Sequence, residues 1–166
     1  MGAIVPGRER EVFISVGHSL IPQHATLVRL ISGYLVSQGI APIKVERRAQ
    51  QISDPVGTIR NIVRKSAGTI VVATVRHKAT GVVEPPSSAN ARSRPDRATT
   101  TVWNQIEAAM TLQCQHPLLI ICEEGLTYEG IIDPSIHPLI LFSTDEITDQ
   151  LPARVLEALS DWCTWL

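Results

Sequence analysis

At 166 residues, 44% hydrophobic and 19% charged, the chain has the size of one globular domain with a substantial core, and a second full domain would not fit. A formal net charge of −1 excludes a global electrostatic pull toward nucleic acid or anionic lipid, so neither is expected as a partner. Cys114, Cys122 and Cys163 are odd in number and set in apolar segments, which suits a reducing compartment better than a disulfide framework.

No apolar run approaches the roughly 20 residues needed to span a bilayer, and Arg8, Glu9 and Arg10 leave no room for a signal-peptide core. A soluble, cytoplasmic protein is therefore expected, with residues 1–10 as a flexible leading segment and 11–166 as a single domain. The final stretch, Asp161-Trp-Cys-Thr-Trp-Leu166, has no polar tail. It reads as the edge of a domain cut from a longer protein, or as a surface that docks onto a partner.

In chain order, Glu11 to Val16 is a buried strand that runs into the turn Gly17-His18-Ser19. Leu27, Val28, Ile31, Tyr34 and Leu35 recur at helical spacing between Gln23 and Gln38, and Gly39 stands where a helix is commonly terminated by glycine. Ala41 to Val45 is a second strand. Asp54-Pro55 then supplies an N-cap and a first-turn proline for a helix with Val56, Ile59, Ile62 and Val63 on its apolar stripe. Gly68 to Val75 is a near-continuous apolar run, as expected for the centre of a parallel sheet covered on both faces.

Residues 76–100 lack sustained periodicity and contain Pro85-Pro-Ser-Ser-Ala-Asn90 together with Arg92, Arg94 and Arg97. Their composition reads as a long solvated loop; the sharper alternative is a basic lid over a phosphate-bearing ligand. A helix from Thr101 to Gln115 follows, then strands at Pro117 to Cys122 and His137 to Phe142. A last helix from about Asp149 carries Leu151, Val155, Leu159, Trp162 and Leu166 on one stripe.

Five strands alternating with helices imply a parallel sheet with right-handed crossovers, hence a flavodoxin-like three-layer α/β sandwich with helices on both faces of a five-stranded parallel sheet. Ligands bind such sheets beyond the carboxyl ends of the strands. The candidate loops are 17–22, 46–53, 76–100 and 123–130.

Several chemistries are excluded. Neither the P-loop nor the dinucleotide-binding glycine fingerprint follows the first strand. The acidic residues of a phosphoacceptor domain are missing, since Val16-Gly17-His18 and Val75-Arg76-His77 stand at the ends of the first and third strands. The five histidines include no helical i, i+4 pair and no Cys-x-x-Cys accompanies them, so no metal is expected. Gly17-His18-Ser19 lacks the glycine pattern of a nucleophile elbow.

The segment Thr101-Val-Trp-Asn-Gln-Ile-Glu-Ala-Ala-Met110 sets one carboxylate in an apolar helix. At about 100° per residue, Val102, Trp103, Ile106, Ala109, Met110 and Gln113 form one face, with Glu107 at its border. Spacing alone makes Glu107 an ordinary border glutamate and Trp103 core or interface filler.

The chain as a whole resembles the TIR (Toll/interleukin-1 receptor) domain and the bacterial TIR-like nucleotide-processing domains. Val12-Phe-Ile-Ser15 is similar to the family's first-strand box, Ser66-Ala-Gly-Thr-Ile-Val-Val-Ala73 to its third strand, and Trp103-x-x-x-Glu107 to the W-x-x-x-E of members that cleave NAD. Gln115-His-Pro-Leu-Leu-Ile-Ile121 stands where the family has a turn and its fourth strand, so the resemblance runs from Glu11 to Phe142. It implies an NAD glycohydrolase or cyclase with Glu107 as the catalytic carboxylate and NAD as substrate rather than cofactor. It also implies an effector of bacterial immune or cell-death signalling, switched on by self-association through TIR–TIR contacts and served by a fused or associated sensor domain.

Glu107 would stabilise the oxocarbenium character at the ribose or attack it, and no general acid is required because nicotinamide leaves neutral from a cationic ring. Gly17, His18, Ser19, Arg47, Arg76, Trp103 and Asn104 are the candidate substrate-binding residues. Two alternatives stay open. Glu107-Ala-Ala also fits the nucleoside deoxyribosyltransferases, which share the sheet type, and the chain could be a non-catalytic scaffold or nucleotide-sensing module.

Overall fold

The computed structural model describes residues 10–18, 21–45 and 53–166. Strand β1 (Arg10–Val16) is followed by α1 (Pro22–Ser37), β2 (Ile40–Ile43), α2 (Pro55–Lys65) and β3 (Gly68–Ala73). After β3 come four short strands, β4 (His77–Ala79), β5 (Val83–Glu84), β6 (Arg92–Ser93) and β7 (Arg97–Thr99), then α3 (Val102–Gln113), β8 (Leu118–Glu123), β9 (Leu139–Phe142) and α4 (Ala153–Cys163). Of the expected leading segment, residues 1–9 lie outside the described residues, and Arg10 opens β1 opposite Ile40.

The five long strands form an all-parallel sheet in the order β2-β1-β3-β8-β9. Helices cover both faces, so the protein is a flavodoxin-like three-layer α/β sandwich. Strand β3 is central and buried at all six residues, as its unbroken apolar run demands. The chain leaves β1 for β2 in one direction and reaches β3 on the other side, which makes the gap between the ends of β1 and β3 the topological switch point.

Side-chain alternation in β1 assigns the two faces. Val12 and Ile14 pack with Leu27, Ile31 and Leu35 of α1 and Val155, Leu159 and Trp162 of α4. Phe13 points the other way, onto Ile59 and Val63 of α2, and the same alternation directs Ser15 to that side. Local signals behave as their chemistry requires: the Asp54 carboxylate caps α2 by accepting from Gly57 N–H at 2.8 Å, and Gly39 ends α1 at φ +72°.

Two expectations fail. Residues 76–99 are an ordered two-tier hairpin rather than a loop, with β4 antiparallel to β7 and β5 antiparallel to β6. Each strand is only two or three residues long and mostly exposed, so no apolar alternation marks it. Instead the hairpin is held by polar contacts: Arg97 binds both Glu84 and Glu129, and Thr127 N–H donates to Ala98 O at 2.7 Å. The basic charge expected of a lid is thereby partly neutralised, with Arg94 also 3.6 Å from Glu84.

The second failure is the orientation of α3. Its buried face is Asn104, Glu107, Ala108 and Thr111, whereas Val102 is 72% exposed and Ala109 is also exposed. The small and polar side chains allow the helix to lie close to the sheet, and Trp103 and Met110 pack at its flank against Phe13, Ile59 and Val63. Among the described residues, no helix is long and apolar enough to cross a membrane.

Candidate active site

Glu107 is 1% exposed and sits under the carboxyl end of β1, beside the switch point. Ser15 Oγ donates a hydrogen bond to Glu107 Oε2. Ser15 accepts in turn from Asn104 Nδ2 at 2.8 Å, and its carbonyl lies 3.3 Å from the same nitrogen. Asn104 Oδ1 accepts from the hydroxyls of Thr100 at 2.7 Å and Thr101 at 2.9 Å. Thr101 is also the N-cap of α3, accepting from Asn104 N–H at 3.2 Å. Ser15 and Asn104 are each 1% exposed, so the centre of the network is buried, while Thr101 at its far end is half-buried.

Further down α3, Thr111 Oγ1 lies 2.8 Å from both Thr69 Oγ1 and the Glu107 carbonyl, tying the helix to β3 below the carboxylate. The end of β1, Lys44 and Val45 beyond β2, and Glu107 line a narrow pocket of about 10 Å³, which is about the size of one water molecule.

The loop after β1 closes onto the same region. A Cβ on Gly17 would meet Thr101 Cγ2 at 3.0 Å, so the loop runs tightly against the start of α3. Arg76, just after β3, donates to His18 O at 3.0 Å, while its own N–H donates to Thr99 O at 2.8 Å. Gly17, His18, Arg76, Asn104 and Glu107 thus come together at the strand ends. Trp103 lies in the packing between α2, α3 and the sheet. Ser19 and Arg47 lie outside the described residues. Asn104 is enclosed to the same degree as Glu107 and donates to Ser15.

On the opposite face of the sheet there is a second buried polar couple. His24 Nε2 of α1 is 3.1 Å from Glu123 Oε2 at the end of β8, and the same oxygen accepts from Val75 N–H at 2.7 Å. Phe142 meets the imidazole edge-on, with ring centroids 6.4 Å apart. The couple joins α1 to β8 across 99 sequence positions, read from their numbers, and no local motif announces it.

Neither the Ser15 contact nor the His24–Glu123 couple was expected from sequence. A signal for Ser15 existed: it is a polar residue at an inward-facing position of an otherwise apolar strand. Among the described residues, no group of three or more histidine, cysteine, aspartate or glutamate side chains could hold a metal ion. All three cysteines are free, and burial pushes the Cys122 thiol up to about 11.

No protein-family model and no curated protein matches the chain by sequence. Solved structures do match in three dimensions. A CMP N-glycosidase from Clostridium botulinum, BcmB, is 11% identical, with a TM-score of 0.51 over 95% of this chain and 100% of that one. The Flv1 flavodiiron core from Synechocystis sp. PCC6803 is 16% identical, with a TM-score of 0.55 over 94% of this chain and 36% of that one. What they share with this chain is the fold. The chain therefore corresponds to the whole length of the first and to about a third of the second.

Proposed function

We propose that the protein cleaves the N-glycosidic bond of a nucleotide, with Glu107 as the catalytic carboxylate and NAD as the leading substrate. The observation that carries this reading is a carboxylate enclosed at the switch point of a flavodoxin-like sheet, where such folds bind nucleotides, and aimed by a serine from the neighbouring strand. An isolated glutamate on a surface helix would have neither the enclosure nor the partner. The full-length likeness to a CMP N-glycosidase supports the bond type, and the TIR resemblance supports the substrate.

The chemistry favours NAD among nucleotides for a site built on one carboxylate. As the ribose C1′–N bond breaks, its electron pair neutralises the positively charged nicotinamide ring, so the base leaves without a proton. The carboxylate stabilises the oxocarbenium-like centre, water adds at C1′, and ADP-ribose, nicotinamide and a proton result. Cytosine, by contrast, leaves well only when protonated, and CMP cleavage would call for a general acid in addition to Glu107. Because Glu107 is only 1% exposed, the wall at Lys44, Val45 and the end of β1 must move to admit a ribose. Self-association is the trigger that the TIR resemblance suggests, in bacterial immune or cell-death signalling.

The test is incubation of concentrated protein with NAD and, separately, with CMP, following nicotinamide and cytosine release by chromatography. Nicotinamide release that is lost in Glu107→Gln supports the proposal. Cytosine release alone would move the substrate to a nucleoside monophosphate, and base exchange between two nucleosides without net hydrolysis would favour a deoxyribosyltransferase.

A further inference from the structure

We infer that Ser15 and Asn104 are positioning residues that hold Glu107 Oε2 as a hydrogen-bond acceptor and so fix the orientation of the carboxyl group; the inference rests on the glycosidase reading for its kinetic consequence, but not for its geometry. The Ser15 main-chain carbonyl can only accept, so the Asn104 side chain must present its nitrogen, not its oxygen, to Ser15. The two threonine hydroxyls at Oδ1 agree with that orientation.

Asn104 Nδ2 then donates to Ser15 Oγ, and the one proton of the Ser15 hydroxyl is left for Glu107 Oε2. A proton on Oε2 would face that donor head-on. Oε2 is thereby occupied as an acceptor and is not the oxygen that protonates a leaving base. The N-cap of α3 and the end of the hairpin fix the far end of the same network, because Thr100 and Thr101 directly follow β7.

The variants that test this are Ser15→Ala, Ser15→Thr and Asn104→Asp, each checked for an unchanged circular-dichroism spectrum. For nicotinamide release from NAD, Ser15→Ala and Asn104→Asp should lower kcat by about 10- to 100-fold, the scale of one hydrogen bond to a charged group, with KM changed less than about threefold. Ser15→Thr keeps the hydroxyl and should recover most of kcat. A rise in KM at constant kcat, or full activity in Ser15→Ala, would overturn the inference.

A second readout needs no turnover. The Glu107 carboxyl carbon, assigned by its absence in Glu107→Gln, should titrate at higher pH in Ser15→Ala than in the wild type, because a donor to its charged form is gone. An unchanged titration overturns the positioning role. If neither NAD nor CMP is cleaved but the titration moves, the glycosidase reading fails and the positioning stands.

Discussion

Ser15 and Glu107 lie 92 positions apart and share a buried hydrogen bond at the point where β1 and α3 meet. Through Asn104 this contact continues to Thr101, the residue that caps α3. One side-chain network therefore starts the helix and orients its carboxylate. The fold and the site are coupled at this residue pair: a parallel sheet brings β1 beside β3, and the small, polar face of α3 allows the approach.

Replacing Thr101 should act on both ends of that network. Thr101→Val removes the cap to Asn104 N–H and one donor to Asn104 Oδ1, and should lower stability by about 1 kcal/mol. Thr101→Ser should restore most of it. Urea titration followed by circular dichroism is the check, and equal midpoints for wild type and Thr101→Val would contradict the assignment.

Gly68 opens β3 against the last helix. A Cβ there would fall 2.8 Å from Trp162 Cζ2, 2.9 Å from Leu166 Cδ2 and 2.9 Å from the Pro117 carbonyl. The side chains can shift, but the carbonyl belongs to the backbone entering β8. Gly68→Ala should cost about 1–3 kcal/mol by overpacking, read as a lower denaturation midpoint at an unchanged slope.

Arg97 holds two carboxylates of different segments, Glu84 in β5 and Glu129 beyond β8. Arg97→Ala should leave those carboxylates without their shared cation and loosen the hairpin, while the main sheet stays folded. The expected result is faster proteolytic cleavage within residues 80–95 and little change in the global unfolding midpoint. Unchanged cleavage would mean that the backbone pairing of β4 with β7 suffices.

Cys122 is fully buried at the end of β8, and desolvation, with a smaller contribution from the charge of Glu123, pushes its thiol from 9.0 to about 11. Near pH 8 its thiolate fraction is on the order of one in a thousand, so alkylating reagents should spare it in the native protein and modify it in urea. The stability consequence has a definite sign. The unfolded chain loses this proton first as pH rises, so the contribution of Cys122 is intact below pH 9 and is lost between about 9 and 11. Mass spectrometry of alkylated peptides and a pH series of unfolding curves test the two statements.

The five sheet strands and four helices were legible because the strands are short, nearly unbroken apolar runs and the helices carry apolar residues at a period near 3.6, and because Asp54, Pro55 and Gly39 mark helix ends by mechanisms that act locally. The hairpin between β3 and α3 was not legible: β5 and β6 have two residues each, and the ion pairs of Arg97 join segments distant in sequence. The rotation of α3 escaped for a related reason. A hydrophobic stripe predicts burial only where apolar area decides it, and here Asn104, Glu107 and Thr111 are buried because each finds hydrogen-bond partners on the sheet. Glu107 was singled out from the sequence; the serine that aims it and the His24–Glu123 couple needed the tertiary structure.

The measurement that bears most directly on the central claim is nicotinamide release from NAD by concentrated wild-type protein beside Glu107→Gln, a substitution that keeps the side chain's shape and removes its charge. Release by the wild type and a loss of about 100-fold or more in the variant are expected, the scale of an electrostatic contact made to the transition state. Equal release by the two proteins would contradict a catalytic role for Glu107.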